Sequence, residues 1–171
     1  EALLVESGLW TAIRTRPFSR IPELGSRPDA IFFTCTDTEP LSPPAEIALT
    51  GREEDFSIGA KALAKFASKT AYLCTSPGSK VPDVPGTERH EFSGKHPAGL
   101  VGTHIANLYP VTRKRVVWHI QLQDIIAVGH LLRTGELDFS RVISIAGPPV
   151  SKPRLINTRL GASTDILCSG E

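Results

Sequence analysis

Apolar residues along this chain follow two alternating rhythms. Asp29-Ala30-Ile31-Phe32-Phe33-Thr34-Cys35-Thr36 is a nearly continuous apolar and β-favouring run, the composition of a strand covered on both faces, and Thr70 to Thr75 reads as a second short strand. Between them Phe56, Gly59/Ala60, Leu63 and Phe66/Ala67 recur every three or four positions, which predicts a helix running to about Ser68. Thr50-Gly51-Arg52-Glu53 has the form of a capping box at its start. A strand, a helix and a strand in that order make the unit of a parallel sheet with a right-handed crossover. The rhythm then repeats. Val116 to Ile120 reads as a strand, and Leu122, Ile125, Val128/Gly129 and Leu132 mark a helix that Gly135 ends in a left-handed cap. Residues 141–146 read as a further strand stopped by Gly147-Pro148-Pro149. At the front, Ala2, Leu3, Leu9, Trp10 and Ile13 line one face of a helix over 1–15, barred from continuing by Pro17. Proline-rich 37–44 and 76–87 must be loops. The alternation predicts an α/β layer architecture with a mostly parallel sheet over residues 1–153, and 154–171 begins a following, truncated domain. Ligands of such folds sit beyond the carboxyl ends of strands, so the loops after Thr36, Phe92 and Ala146 are the candidates.

Composition narrows the function classes. The 171 residues are 40% hydrophobic and 22% charged, ordinary for a globular chain. Nineteen basic residues against eighteen acidic ones, net +1, with no run of one sign, give no nucleic-acid or anionic-membrane signature. The densest basic cluster, Arg113-Lys114-Arg115, reads as a solvated turn or a partner surface. No apolar run approaches the ~20 residues that span a bilayer, and the start lacks the order of a signal peptide. Cys35, Cys74 and Cys168 lie far apart, with no iron–sulfur or zinc spacing. A reducing cytosolic setting is the simplest expectation. The absence of methionine and the abrupt ends predict a piece of a longer polypeptide.

Candidate chemistry concentrates in Gly94-Lys95-His96-Pro97-Ala98-Gly99-Leu100-Val101-Gly102-Thr103-His104, between a short strand over 89–92 and a helix over 100–108. Two readings fit it. In one, the glycines serve turning and close packing of the helix on a sheet. In the other, the free amides of the helix start, with Lys95 and the imidazoles of His96 and His104, converge on a ligand as an anion site. Only Gly99-x-x-Gly102 survives of the dinucleotide fingerprint, and no Gly-Lys-Ser/Thr follows, so nucleotide binding does not follow. The five histidines include no H-x-x-x-H or H-E-x-x-H pair, which argues against a metal site, and no G-x-S-x-G elbow is present. His119, beside Trp118, reads as a core or edge residue.

Several segments together resemble one family. They are Arg14-Thr15-Arg16-Pro17-Phe18-Ser19, Ala30-Ile31-Phe32, the stretch from Phe92 to Ile105, Val117-Trp118, Gln123 to Gly129, Thr134 to Leu137 and Thr158 to Ala162. The family is that of the A subunits of the sodium-translocating NADH:quinone oxidoreductase. The resemblance implies a peripheral subunit on the cytoplasmic side of the bacterial inner membrane, in a complex that passes electrons from NADH to ubiquinone and exports sodium. It also implies a Rossmann-like three-layer domain, similar in architecture to the NADH-binding flavin subunit of respiratory complex I. That subunit's cluster-binding cysteines and flavin-cradling glycines are absent here. Two roles follow for this stretch: an assembly scaffold docking other subunits, with no cofactor of its own, or a direct contribution to ubiquinone binding. In the second, Lys95, His96, Gly99, Gly102 and His104 are the expected contacts, with Leu100, Val101 and Ile105 against the ring and tail. Lys95 and the helix start then favour a negatively charged reduced form.

Overall fold

The computed structural model describes residues 1–169. In chain order it has helix α1 (Ala2–Glu6), a 3-10 turn at Leu9–Ala12, strands β1 (Arg14–Arg16) and β2 (Ala30–Cys35), and helices α2 (Ala45–Leu49) and α3 (Glu53–Ala64). Strands β3 (Thr70–Thr75) and β4 (Thr87–Glu91), helix α4 (Val101–Leu108), strand β5 (Val117–Gln121) and helix α5 (Leu122–Thr134) follow. Strands β6 (Ser140–Ile145) and β7 (Arg154–Arg159) and helix α6 (Thr164–Leu167) close the described chain. The main sheet has the order β1-β5-β2-β3-β4, with β5, β2, β3 and β4 parallel and β1 antiparallel at the edge.

Strand alternation divides the core between two faces. Ile31, Phe33, Leu73, Trp118 and Ile120 point to one side and join Phe56, Leu63, Ile125 and Leu131 from α3 and α5. Phe32, Tyr72, Cys74 and Val117 point to the other, against Ile105 of α4. Helices α3 and α5 cross on bare backbone: a Cβ on Gly129 would stand 1.6 Å from the Asp55 carbonyl oxygen, and one on Gly59 would stand 2.1 Å from that of Ile125. Beside the crossing, buried Asp55 accepts from Arg133 Nε at 2.6 Å and from His130 Nδ1 at 3.1 Å. Burial raises this carboxyl's pKa, but the two hydrogen bonds outweigh it and leave the pKa lowered.

Several expectations are corrected. The helix over 1–15 is broken: Gly8 takes φ +79°, a 3-10 turn follows, and Arg14–Arg16 becomes the edge strand pairing with β5. Trp10 turns inward, donates from Nε1 to the Pro22 carbonyl at 2.9 Å, and stacks edge-on with Phe66 and Trp118 at 5.4 and 5.5 Å. A short helix, α2, stands between the proline-rich loop and α3. The capping box does not form, because Thr50 Oγ1 donates to the Glu46 carbonyl and so closes α2 instead of opening α3. Strand β6 is present but leaves the parallel sheet and pairs antiparallel with β7. That hairpin is fastened to α5 by Gln123, whose amide donates to the Val142 carbonyl at 3.0 Å and accepts from its N–H at 2.8 Å. Arg141–Asp124 at 2.7 Å and the Arg52–Asp138 pair reinforce the attachment.

Candidate functional site: a cleft where the strand order reverses

From β2 the chain steps outward through β3 to β4, then returns by α4 to place β5 on the opposite side of β2. The carboxyl ends of β2 and β5 lie side by side, and the connections that leave them run to α3 and α5 on the same face of the sheet. A cleft of about 670 Å³ lies there, walled by these strand ends, the loop 36–43, the first turns of α4 and α5, and β6. By alternation Thr34, His119 and Gln121 share the face of Phe32 and Val117, beyond the reach of α4. Arg16, opposite Val117, reaches into the same space.

Among the described residues four buried side-chain atoms have no hydrogen-bond partner, and three of them, Arg16 Nε, Thr34 Oγ1 and His119 Nε2, belong to residues lining this cleft. Buried polar groups left unpaired are costly and uncommon, and three of them converge on this one wall. Burial, with Arg16 and Arg14 nearby, pushes the His119 pKa down to about 4, leaving a neutral imidazole at neutral pH. The rim is apolar: Leu100 faces the cleft from the start of α4, and Leu41, 62% exposed, is held in the left-handed region at φ +71°. Asp37 also lines it, but its carboxylate accepts from the Glu39 N–H and Ser42 Oγ, both at 2.8 Å.

The loop singled out in the sequence does leave the carboxyl end of β4, yet its residues do not converge. Lys95 and His96 are exposed and stand outside the cleft lining, His96 Nδ1 lying 3.4 Å from Thr38 Oγ1. The Gly99 N–H is already donated to that hydroxyl at 2.8 Å. Gly99 itself is buried against the loop after β2, where a Cβ would come within 2.5 Å of the Thr38 nitrogen. Its close approach is therefore to a loop and not to the sheet; Gly102 has nothing within 4 Å of an added Cβ and packs on neither. His104 is 0% exposed, with Nε2 donating to the Ala98 carbonyl at 3.0 Å and its ring 4.1 Å from that of Phe92. Burial lowers its pKa against the opposing effect of the Ala98 bond. Of the five expected contacts only Gly99 lines the cleft. Arg16, Thr34, His119 and Gln121 escape sequence reasoning because they come from three separated segments. The one available signal is their shared strand parity opposite an apolar face.

Among the described residues no group of three or more histidine, cysteine, aspartate or glutamate side chains could hold a metal ion, and no helix is long and apolar enough to cross a membrane. The family model described as the NqrA second alpha/beta domain matches residues 1–137, and that of the NQRA C-terminal domain matches 142–171. Relatives named as the A subunit of the Na(+)-translocating NADH-quinone reductase are 49% identical over 168 residues in Shewanella amazonensis, 49% over 170 in Rhodopirellula baltica and 47% over 171 in Haemophilus influenzae. Each alignment covers 98% of this chain, which spans only 37–38% of the length of these relatives. The matched segments run through both the parallel sheet and the hairpin that walls the cleft, and on that extent the chain belongs to the NqrA family, the A subunits of the Na(+)-translocating NADH–quinone reductase.

Proposed function

We propose that this chain works as part of a peripheral subunit of a sodium-translocating NADH–quinone reductase, on the cytoplasmic side of the bacterial inner membrane, and that its cleft receives the quinone headgroup. The observation that carries this reading is the set of unpaired atoms on Arg16, Thr34 and His119 around one cleft. A quinone headgroup is a flat apolar ring with two acceptor oxygens. The guanidinium of Arg16 and the hydroxyl of Thr34 are donors, and neutral His119 donates from Nε2 in one of its tautomers. Leu41, Leu100 and Val101 offer the apolar rim that ring substituents and tail require. Arg16 also favours negative charge on a ring oxygen as electrons arrive, because its own charge is fixed in place beforehand.

In this reading Gly99 builds the cleft wall, and His104 steadies the loop from behind. Lys95, His96 and Gly102 belong to the outer approach. The order β4-β3-β2-β5 matches the first half of a doubly wound sheet, which supports a Rossmann-like description. The separate β6–β7 pairing and the two family models support a division near 138–141, ahead of the one at 153 expected from sequence.

A scaffold role keeps the fold and leaves the cleft idle; the missing nucleotide fingerprint supports it. Titration of full-length NqrA with a short-chain ubiquinone separates the two. Saturable binding is expected, weakened about tenfold or more by Arg16→Gln, which removes a charge-assisted hydrogen bond worth ~1.5–3 kcal/mol, and less by His119→Phe, which removes a neutral one. No saturable binding, or binding indifferent to both changes, leaves the scaffold.

A further inference from the structure

The rim opposite the cleft, at the amino ends of the parallel strands, carries an unused surface. Arg16 pairs with Val117 and Ala30 with Val117, while the Asp29 N–H donates to the Val116 carbonyl at 2.9 Å and the Lys69 N–H to that of Asp29 at 3.0 Å. The segments before β5, β2 and β3 therefore lie side by side, with the turn after β1 next to them. That register assembles Arg20, Arg27, Lys69, Arg113, Lys114 and Arg115 on one rim, against the carboxylates of Glu1, Glu23 and Asp29. A chain of net charge +1 thus concentrates its positive charge here. Asp29 is taken by Lys69 at 3.1 Å, and among the described residues Arg20, Arg27, Arg113, Lys114 and Arg115 form no ion pair.

Phe18 stands in this field, 80% exposed. Its backbone is held at φ +80° and that of Ser19 at φ +49°, in the region that side chains avoid. The turn is fixed from beneath: Thr15 N–H donates to the Arg20 carbonyl at 2.8 Å, Arg20 N–H to Thr15 Oγ1 at 3.2 Å, and the Arg20 guanidinium lies 5.8 Å from the Phe18 ring centre. Val116 lies exposed at the adjoining position. A fluid lipid surface adapts to any ring direction and has no use for a turn held at a conformational cost beneath the aromatic. A protein with a matching apolar socket does, because preorganisation lowers the cost of docking. An exposed aromatic on a fixed turn, with Arg20 against its ring and further arginines along the same rim, is also the pattern of an interface anchor.

We infer that this rim docks a protein partner presenting an apolar socket for Phe18 bordered by aspartate and glutamate side chains. Such docking leaves the cleft on the far rim open. The inference rests on the proposed place of the chain in the reductase, so the partner is sought there. Full-length NqrA is titrated onto the reductase purified without it, from low to moderate salt. Phe18→Gly, which accepts a left-handed backbone, is expected to weaken binding at least ~30-fold while raising the thermal midpoint of free NqrA. Arg113→Glu with Lys114→Glu is expected to weaken binding and flatten its salt dependence. Wild-type binding that neither change disturbs overturns the docking rim and leaves membership intact. Failure of wild-type NqrA to bind overturns the proposed place in the complex and the docking rim with it. Phe18-dependent binding to protein-free phosphatidylglycerol vesicles, as tight as binding to the complex, overturns the assignment of a protein partner.

Discussion

The two faces of the parallel sheet are finished differently. On the α3–α5 side the buried carboxylate of Asp55 is paired on both oxygens, and the two helices touch through glycines with no space to spare. On the α4 side the apolar layer stops short, and Thr34, His119 and Arg16 are left with unpaired atoms beside a cleft. One face is closed and holds the fold together; the other ends at an open cleft. The proposed function puts binding on the side of the sheet opposite the one that supplies stability.

The sharpest way to break the closed face is Gly129→Ala. Its new methyl collides with the Asp55 carbonyl oxygen, and overpacking on rigid backbone is expected to cost about 3 kcal/mol or more in urea unfolding. Asp55→Asn comes next, at about 2 kcal/mol, because it weakens hydrogen bonds to a charged partner at a buried site. The native carboxyl has a lowered pKa, so its contribution is present above the unfolded pKa of about 4 and disappears as acid reaches the folded value. Stability measured from pH 5 to pH 2 should fall less steeply in the variant.

The open face should respond in a higher pH window. With a folded pKa of about 4, His119 binds its proton less readily when folded than when unfolded. It therefore removes stability as pH falls from about 6.5 toward 4, and His119→Phe should abolish that decline with a change of about 1 kcal/mol or less at pH 8. An equally steep decline in the variant would assign the titration elsewhere. The smallest effect separates two neighbouring glycines. Gly102→Ala, in open space on α4, should stabilise the fold by up to about 1 kcal/mol, whereas Gly99→Ala should destabilise it by forcing the loop after β2 away.

The elements that sequence makes visible are those whose signal is local. The runs of β2 and β3, the periodic faces of α3 and α5, and the left-handed cap at Gly135, which has φ +80°, each announce themselves within a dozen residues. Strand β1 does not, because Arg14-Thr15-Arg16 is three residues long and polar; pairing with β5 makes it a strand. Helix α2 is hidden behind prolines for the same reason of length. The loop 93–100 does sit at the carboxyl end of a strand, as its pattern predicts, but proximity in sequence is a poor guide to its chemistry. His96 and His104, eight positions apart, end up one in solvent and one in the interior. The residues that do meet belong to β1, β2 and β5, and only the reversed strand order brings those together.

The Gln123 fork has a practical consequence. The hairpin that walls the cleft is gripped by an uncharged amide reading the donor and acceptor of a single residue, Val142, a clasp that dissolved ions barely perturb. The arginine-rich rim on the far side depends on unscreened attraction. If the proposed docking holds, raising ionic strength should release the neighbour while the cleft keeps its width, so cleft and rim can be probed separately in one tube without a mutation.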